Sequence, residues 1–296
     1  MTPLPSSINI YLSLLTLITT KMGVFYETIP KSLIPWILDQ KVIWIASAPL
    51  SNAGHVNVSP KGGSYFGVVD EKTFWYQDLT GSGVETISHL LEPNNGRITV
   101  LFNAFDGPPR IVRLWGHGRP LEYGSPAFLD FVAKHDVKTI PGTRAIVVVD
   151  IHQVGTSCGF SMPVYDFKEF RQTLNDFAVK KVANDEKGDV KNGMEAYWAF
   201  KNSESMDGLP GMRRGVETAK NNNVTPITKM VGAAALKTPR NVSNRLSSTS
   251  PVVIALLSFF AGLAVATFLF SFASGDMHGS LTDDINTLMR EIKGGP

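Results

Sequence analysis

Two short polar segments of this sequence carry residue types that hold charged groups. Ser59 and Lys61, in the segment SPKG, offer a hydroxyl and a compact positive charge. Gly81 and Ser82, in the segment QDLTGSG, lie between an apolar run and a helical pattern, where backbone N–H groups can hold a phosphate. The glycine-containing loop is a candidate for holding a phosphate, and an ordinary turn or connection is the alternative for each segment.

A third segment, IVRLWGHG, adds a cation and a titratable group. Arg113 and His117 lie an even number of residues apart in a predicted strand, so both side chains project from one face. His117 is a candidate for moving a proton, because imidazole titrates near neutral pH, and a solvent-facing histidine is the alternative. No metal site is predicted, since the 6 histidines lack the paired spacings of zinc ligands.

Other classes of ligand are disfavoured by composition and spacing. Thr86 stands where the dinucleotide-binding pattern has its last glycine. The net charge is +2 and the basic residues are scattered, so no nucleic-acid partner is expected. The single cysteine, Cys158, excludes an internal disulfide framework and agrees with a reducing compartment.

The elements that position these residues are mainly strands. Helical spacing predicts helices over 30–40, 84–92, 125–136 and 166–185, the last with Asp166 as a capping residue. The turn segment DGPPR indicates a hairpin, and the class is therefore mainly β with flanking helices, arranged as an antiparallel β-barrel. Six or seven strands are predicted, at VIWIASA, HVNVS, SYFGVV, TFWYQD, RITVLFNAF, IVRLWGHGRPL and RAIVVVDIHQV.

Composition divides the chain into five parts. Residues 1–21 form an N-terminal appendage, and Met22 is an alternative start; residues 22–207 form one globular domain. A polar, flexible linker (208–250) leads to an uncharged run (251–273) that is long enough for one transmembrane helix, followed by a short tail (274–296). Basic residues before the helix and aspartates after it predict a single-pass membrane protein whose globular domain faces the cytosol.

The order of SPKG, FWYQDLTGSG, ETISHLLE, RITVLF, RLWGHGRPLE and TSCGFSMPVY resembles the pyridoxamine 5′-phosphate oxidase-like flavoproteins. The resemblance covers residues 23–177, and the Ser-Cys-Gly ending, with its following proline, is similar to a subgroup of uncharacterised members that we expect to be membrane-anchored here. It implies a split antiparallel β-barrel that binds FMN, commonly at the interface of a homodimer.

The same resemblance implies which residues hold the cofactor. Ser59 and Lys61 would lie near the flavin, Arg113 would be a further contact, and the cofactor loop would be lined by Gln77, Asp78, Thr80, Gly81 and Ser82. Gly83 and Val84 stand where the true oxidases place arginine and lysine, so two phosphate-binding charges are missing. Each charge-assisted contact is worth about 1.5 to 3 kcal/mol, which predicts weaker cofactor binding unless other cations compensate.

The resemblance implies an FMN-dependent oxidoreductase that acts on a small-molecule substrate. Pyridoxamine 5′-phosphate is not the expected substrate, because the basic and tryptophan residues of the true oxidases' C-terminal tail are not recognisable. One alternative is a non-catalytic protein that binds flavin, haem or another planar ligand, or a ligand-free, membrane-tethered interaction module. Another is a structural transmembrane adaptor that docks partners through the apolar residues of its tail.

Overall fold

The computed structural model describes residues 23–232. The predicted appendage (1–21), the predicted transmembrane helix (251–273), the tail (274–296) and the linker beyond residue 232 lie outside the described residues. Within residues 23–232, no helix combines the length and the apolar character that crossing a bilayer needs.

All strand pairs of the described residues are antiparallel and join one sheet. Along the sheet the order is β3-β2-β6-β7-β8-β5-β4, and β1 pairs with β8. The strands are β1 (Phe25–Tyr26), β2 (Val42–Ser47), β3 (Asn57–Gly62), β4 (Phe66–Asp70), β5 (Thr73–Leu79), β6 (Arg97–Asn103), β7 (Ile111–Glu122) and β8 (Thr143–Ser157).

The sheet curls around an aromatic core. Phe66 of β4 contacts Phe102 of β6 with ring centroids 6.2 Å apart, although β5, β8 and β7 lie between these strands along the sheet. Ile43 and Ile45 of β2 are buried in the same core. Within residues 23–232, the end strands β3 and β4 are not paired with each other, so the curled sheet is an open half-barrel. This confirms the mainly β class and agrees with the predicted split barrel.

Strand β8 is buried on both faces. Val147 and Val149 point into the half-barrel core, whereas Ile146 and Val148 pack against Phe128 of a helix outside the sheet. A strand that is covered on both sides reads as a continuous apolar run rather than an alternating one, as the sequence AIVVV does.

Six α-helices flank the sheet in the described residues. They are α1 (Ile34–Asp39), α2 (Glu85–Leu91), α3 (Pro126–His135), α4 (Thr173–Glu186), α5 (Met194–Lys201) and α6 (Arg213–Asn221). The first three fall within the predicted ranges. Ile37 of α1 is fully buried in the barrel core, and Ser125 caps α3 by accepting a hydrogen bond from the Phe128 N–H group.

Helix α4 begins later than its apolar spacing predicts. The prediction of a helix from Asp166 was wrong, because α4 begins at Thr173 and follows Gln172 as its N-cap. Before it, Phe167 packs on Phe170 with ring centroids 4.8 Å apart and is half exposed. These two rings therefore contact each other instead of forming one buried helical face.

The structure also differs from the predicted linker between residues 208 and 232. Met212 is fully buried and packs in one cluster with Trp198 of α5. The Ile227 N–H group donates a hydrogen bond of 3.0 Å to the Phe200 carbonyl. The chain from 208 to at least 229 is therefore folded onto α5 and the end of the sheet.

Candidate functional site

A cavity of about 320 Å³ lies between β3, β5, β8 and the loop before α2. Cross-strand pairing places Ser59 opposite Ile45 and Lys61 opposite Ile43, so these two polar side chains face the interior of the half-barrel. The volume is at the lower end of the range for small-molecule sites, which is about 300 to 1,000 Å³. The cavity is lined by Asn57, Ser59, Pro60, Lys61, Gly62, Gln77, Leu79, Gly81, Gly83, Glu85, Thr86, Arg144 and Leu174.

Two cations line this cavity, Lys61 and Arg144, and both pair with the carboxylate of Asp78 beneath it. Lys61 Nζ lies 2.6 Å from Asp78 Oδ1, and Arg144 Nε lies 2.8 Å from Asp78 Oδ2. Asp78 is completely buried. Burial alone would raise the pKa of the Asp78 carboxyl, but the Arg144 and Lys61 cations outweigh this effect and lower the pKa to about 2. Asp78 is therefore an anion at neutral pH, and it leaves one net positive charge in this cluster.

The Lys61–Asp78 pair joins strands that are far apart along the sheet. Lys61 lies on the end strand β3 and Asp78 on β5, and four strands separate β3 from β5. The ion pair therefore crosses the interior of the curled sheet. It holds the wall that carries Ser59 and Lys61 against the wall that carries Gln77 and Arg144.

Gln77 and Thr80 mainly fix the cofactor loop predicted from the sequence. Thr143 Oγ1 donates to Gln77 Oε1 at 2.8 Å, and Gln77 Nε2 donates to the Lys138 carbonyl at 2.9 Å. Thr80 Oγ1 donates to the Gly142 carbonyl and accepts a hydrogen bond of 2.9 Å from Trp198 Nε1. The polar atoms of both side chains thus already have protein partners.

Within this loop, Gly81 faces open space. A Cβ atom added at Gly81 would meet no atom within 4 Å, so a ligand can approach the backbone there. Ser82 is exposed and is not among the residues that line the cavity. Ser82 therefore lies in the predicted loop but does not line the cavity.

The two positions that lack the charges of the true oxidases are used structurally. Val84 is fully buried in an apolar cluster, and the Gly83 carbonyl accepts a hydrogen bond of 2.6 Å from Arg144 Nη1. Arg144 thus brings a guanidinium to the same loop from β8. Arg144 was not predicted as a site residue; a charged side chain at the start of the apolar run RAIVVV was the available signal.

Glu85, the first residue of α2, also lines the cavity. Its Oε1 atom accepts a hydrogen bond from the Met206 N–H group at 3.3 Å and lies 3.5 Å from Lys229 Nζ. Neither Glu85 nor Lys229 was predicted as a site residue; Lys229 was placed among the basic residues before the predicted transmembrane helix. A carboxylate in the cavity wall opposes the binding of an anion, and Lys229 offsets that charge.

A histidine and an aspartate meet beyond the Asn57 end of the cavity. His55 Nδ1 lies 2.6 Å from Asp207 Oδ1, and the backbone N–H group of His55 donates to Asp207 Oδ2 at 2.7 Å. Asp207 is buried, whereas the His55 side chain is 43% exposed. His55 lies in the loop two residues before Asn57, the first residue of β3, and is not among the residues that line the cavity.

Arg113 and His117 do not join this site. They share a face of β7, as predicted, but Val112 and Leu114 occupy the face that packs into the core. Arg113 Nη1 donates to Ser157 Oγ at 3.3 Å, and His117 is exposed beside His152. Arg113 and His117 therefore lie outside this cavity, because strand period shows that two residues share a face but not that the face is internal.

Comparison with known proteins identifies a clear relative. No protein-family model matches the chain. The chain is 38% identical over 205 residues to the pyridoxamine 5′-phosphate oxidase family protein ustO of Aspergillus flavus, a match that covers 64% of this chain and 78% of that protein.

Solved structures give weaker likenesses. HupZ of Group A Streptococcus is 16% identical with a TM-score of 0.33, and 43% of this chain and 91% of that chain are covered. An FAD-binding protein from Mycobacterium smegmatis is 16% identical with a TM-score of 0.31, and 44% and 96% are covered. At TM-scores this low, the likenesses support no conclusion. The relation to the Aspergillus flavus protein does: this chain belongs to the pyridoxamine 5′-phosphate oxidase family.

Proposed function

We propose that this protein is a flavin-dependent oxidoreductase that holds FMN in the cavity between β3, β5 and β8. The observation that carries the proposal is the pair of cations, Lys61 and Arg144, which meet beside a glycine-containing loop inside the half-barrel. Membership of the pyridoxamine 5′-phosphate oxidase family supports the choice of a flavin.

The residues of the cavity fit an anionic group. Lys61, Arg144 and Lys229 are opposed by Asp78 and Glu85, which leaves one net positive charge in this set. The open backbone at Gly81 gives a phosphate room to approach. Lys61 and Arg144 would hold the phosphate, and the bound flavin ring would supply the two-electron chemistry that the protein side chains lack.

The chain's own residues would orient the ligand and handle protons. Gln77 and Thr80 keep the loop in place through their bonds to the Lys138 and Gly142 carbonyls. We assign proton transfer to His55 rather than to His117, because Asp207 holds the His55 ring through Nδ1 and His55 lies two residues before Asn57, which lines the cavity. The substrate is then a small molecule with an exchangeable proton at the reacting group.

A second function is favoured by two observations. Gly83 and Val84 supply no charge to the loop, and the Glu85 carboxylate faces the same cavity. Both facts weaken the binding of a phosphate. The competing proposal is therefore a non-catalytic member that binds another planar ligand such as haem, or a ligand-free interaction module.

Titration with FMN separates the two functions. We expect the full chain, purified in detergent, to take up one FMN per chain with quenching of flavin fluorescence. Lys61→Ala should weaken binding about 10-fold to 100-fold, which corresponds to the loss of one charge-assisted contact. Lys31→Ala is the matched control, because the Lys31 side chain is 87% exposed and lies outside the cavity lining. A colourless protein that ignores FMN would leave the interaction module as the better proposal.

Two further proposals concern the whole protein. We propose that residues 251–273 anchor the chain in a membrane with the globular domain in the cytosol, since this uncharged run is preceded by basic residues. We also propose that it acts as a homodimer, as the family resemblance implies. Light scattering in detergent tests the second proposal, and a monomer mass for the FMN-loaded protein would contradict it.

A further inference from the structure

Glu85 is the carboxylate that most directly opposes an anionic ligand in the cavity. It lines the cavity and lies next to Gly83 and Val84, where an anion-binding loop of this kind would carry positive charge. Its side chain is 14% exposed. A charge that is this well shielded from water acts strongly on its neighbours, since less solvent screens it.

Lys229 lies beside this carboxylate and is largely buried. Its Nζ atom donates to the Glu204 carbonyl at 2.8 Å and lies 3.5 Å from Glu85 Oε1. The side chain is only 15% exposed, and the preceding backbone is tied to α5 by the bond from Ile227 to Phe200. Burial lowers the pKa of the Lys229 ammonium, and Glu85 opposes that change by favouring the charged form.

We infer that Lys229 is a positioning residue of the site, which neutralises Glu85 and thereby allows the cavity to accept the phosphate of a flavin. This inference rests on the proposed function. Lys229 is absent from the described residues that line the cavity, so it acts through Glu85 rather than by touching the ligand. The segment around residue 229, which composition predicts to be a linker, then belongs to the ligand site.

The test is a double-mutant cycle on the full chain with FMN as the probe. We expect Lys229→Met to weaken FMN binding about tenfold, the factor that one unit charge produces at roughly 10 Å in a partly buried site. Lys229→Arg keeps the charge and should bind like the wild type. The double variant Glu85→Gln/Lys229→Met should bind FMN like the wild type, because it removes one charge of each sign. Lys220→Met, on the exposed side of α6, is the matched control.

Each of the following outcomes would overturn the inference. If the double variant binds FMN as weakly as Lys229→Met alone, the Glu85 carboxylate does not oppose the ligand and the inference is overturned. An unchanged affinity in Lys229→Met would overturn it as well, while the flavin function would stand. If the wild type takes up no FMN, the proposed function fails first and this inference fails with it. Thermal unfolding of each variant identifies a loss of affinity that comes from unfolding alone.

Discussion

At the scale of single residues, Asp78 decides the charge of the cavity. It is completely buried and bonds to Lys61 and Arg144 at once. Removing one member of a buried charged cluster is strongly unfavourable, because the remaining charges have neither water nor a partner. Asp78 therefore links the stability of the fold to the electrostatics of the site.

We predict that Asp78→Asn lowers the free energy of unfolding by about 3 to 5 kcal/mol near neutral pH, the usual effect of breaking a buried ion pair. Chemical denaturation followed by circular dichroism measures this change. Asp150→Asn is the control: Asp150 pairs with Arg119 on the surface, and such pairs contribute about 1 kcal/mol or less. Equal losses in the two variants would show that burial of Asp78 adds nothing.

The same carboxylate predicts a response to acid. Its pKa is about 2 in the fold and has an ordinary value of 3.8, so the folded state favours the ionised form. The resulting stability is fully present above about pH 4 and is lost as the pH falls toward about 2, because the unfolded chain takes up the proton first. The difference in unfolding free energy between wild type and Asp78→Asn should shrink over this range. A constant difference would contradict the assignment.

The part of the site that sequence could predict is the part carried by short motifs. The family resemblance implies Lys61, Gln77, Asp78 and Gly81; the structure places Lys61, Gln77 and Gly81 in the cavity lining and Asp78 beneath it. Arg144 meets Asp78 from a strand 66 residues later, and no local pattern reveals such a pairing. His55 was missed for the same reason, since its partner Asp207 is distant in sequence.

At the scale of elements, strands were easier to predict than the last helices. Period-two alternation and turn residues indicate the strands because one face of each is buried. Helix α6 carries the sequence RRGVETAKN and buries only Gly215 and Ala219, so it has no apolar stripe that a pattern could detect. Gly215 lies so close to Trp198 that an added Cβ atom would come within 2.9 Å of the Trp198 carbonyl oxygen. A side chain at position 215 would therefore push α6 away from α5.

We predict that Met212→Ala lowers the free energy of unfolding by about 2 to 5 kcal/mol, because it leaves a cavity beside Trp198. Val216→Ala, on the more exposed side of α6, should change it by less than about 1 kcal/mol. Urea denaturation measures both. If Met212→Ala leaves the free energy of unfolding unchanged, the interpretation of this segment as a flexible linker is restored.

At the scale of the whole molecule, the run 251–273 is expected to determine location. We predict that the full chain stays with membranes after extraction at alkaline pH, whereas a variant that lacks residues 251–273 moves to the soluble fraction. Both proteins should take up FMN alike if the cavity is complete before residue 251. Full-length protein found in the soluble fraction would argue against the anchor.

The ion pair between Lys61 and Asp78 connects two walls of the half-barrel and also contributes to the charge of the cavity. It joins two walls that are neighbours in space but distant along the hydrogen-bonded ladder. An anionic ligand that attracts Lys61 must compete with Asp78. Binding of a phosphate therefore weakens the Lys61–Asp78 ion pair, whereas a neutral ligand leaves the pair intact. Ligand binding and the attraction between the two walls of the half-barrel therefore depend on the same group, the Lys61 ammonium.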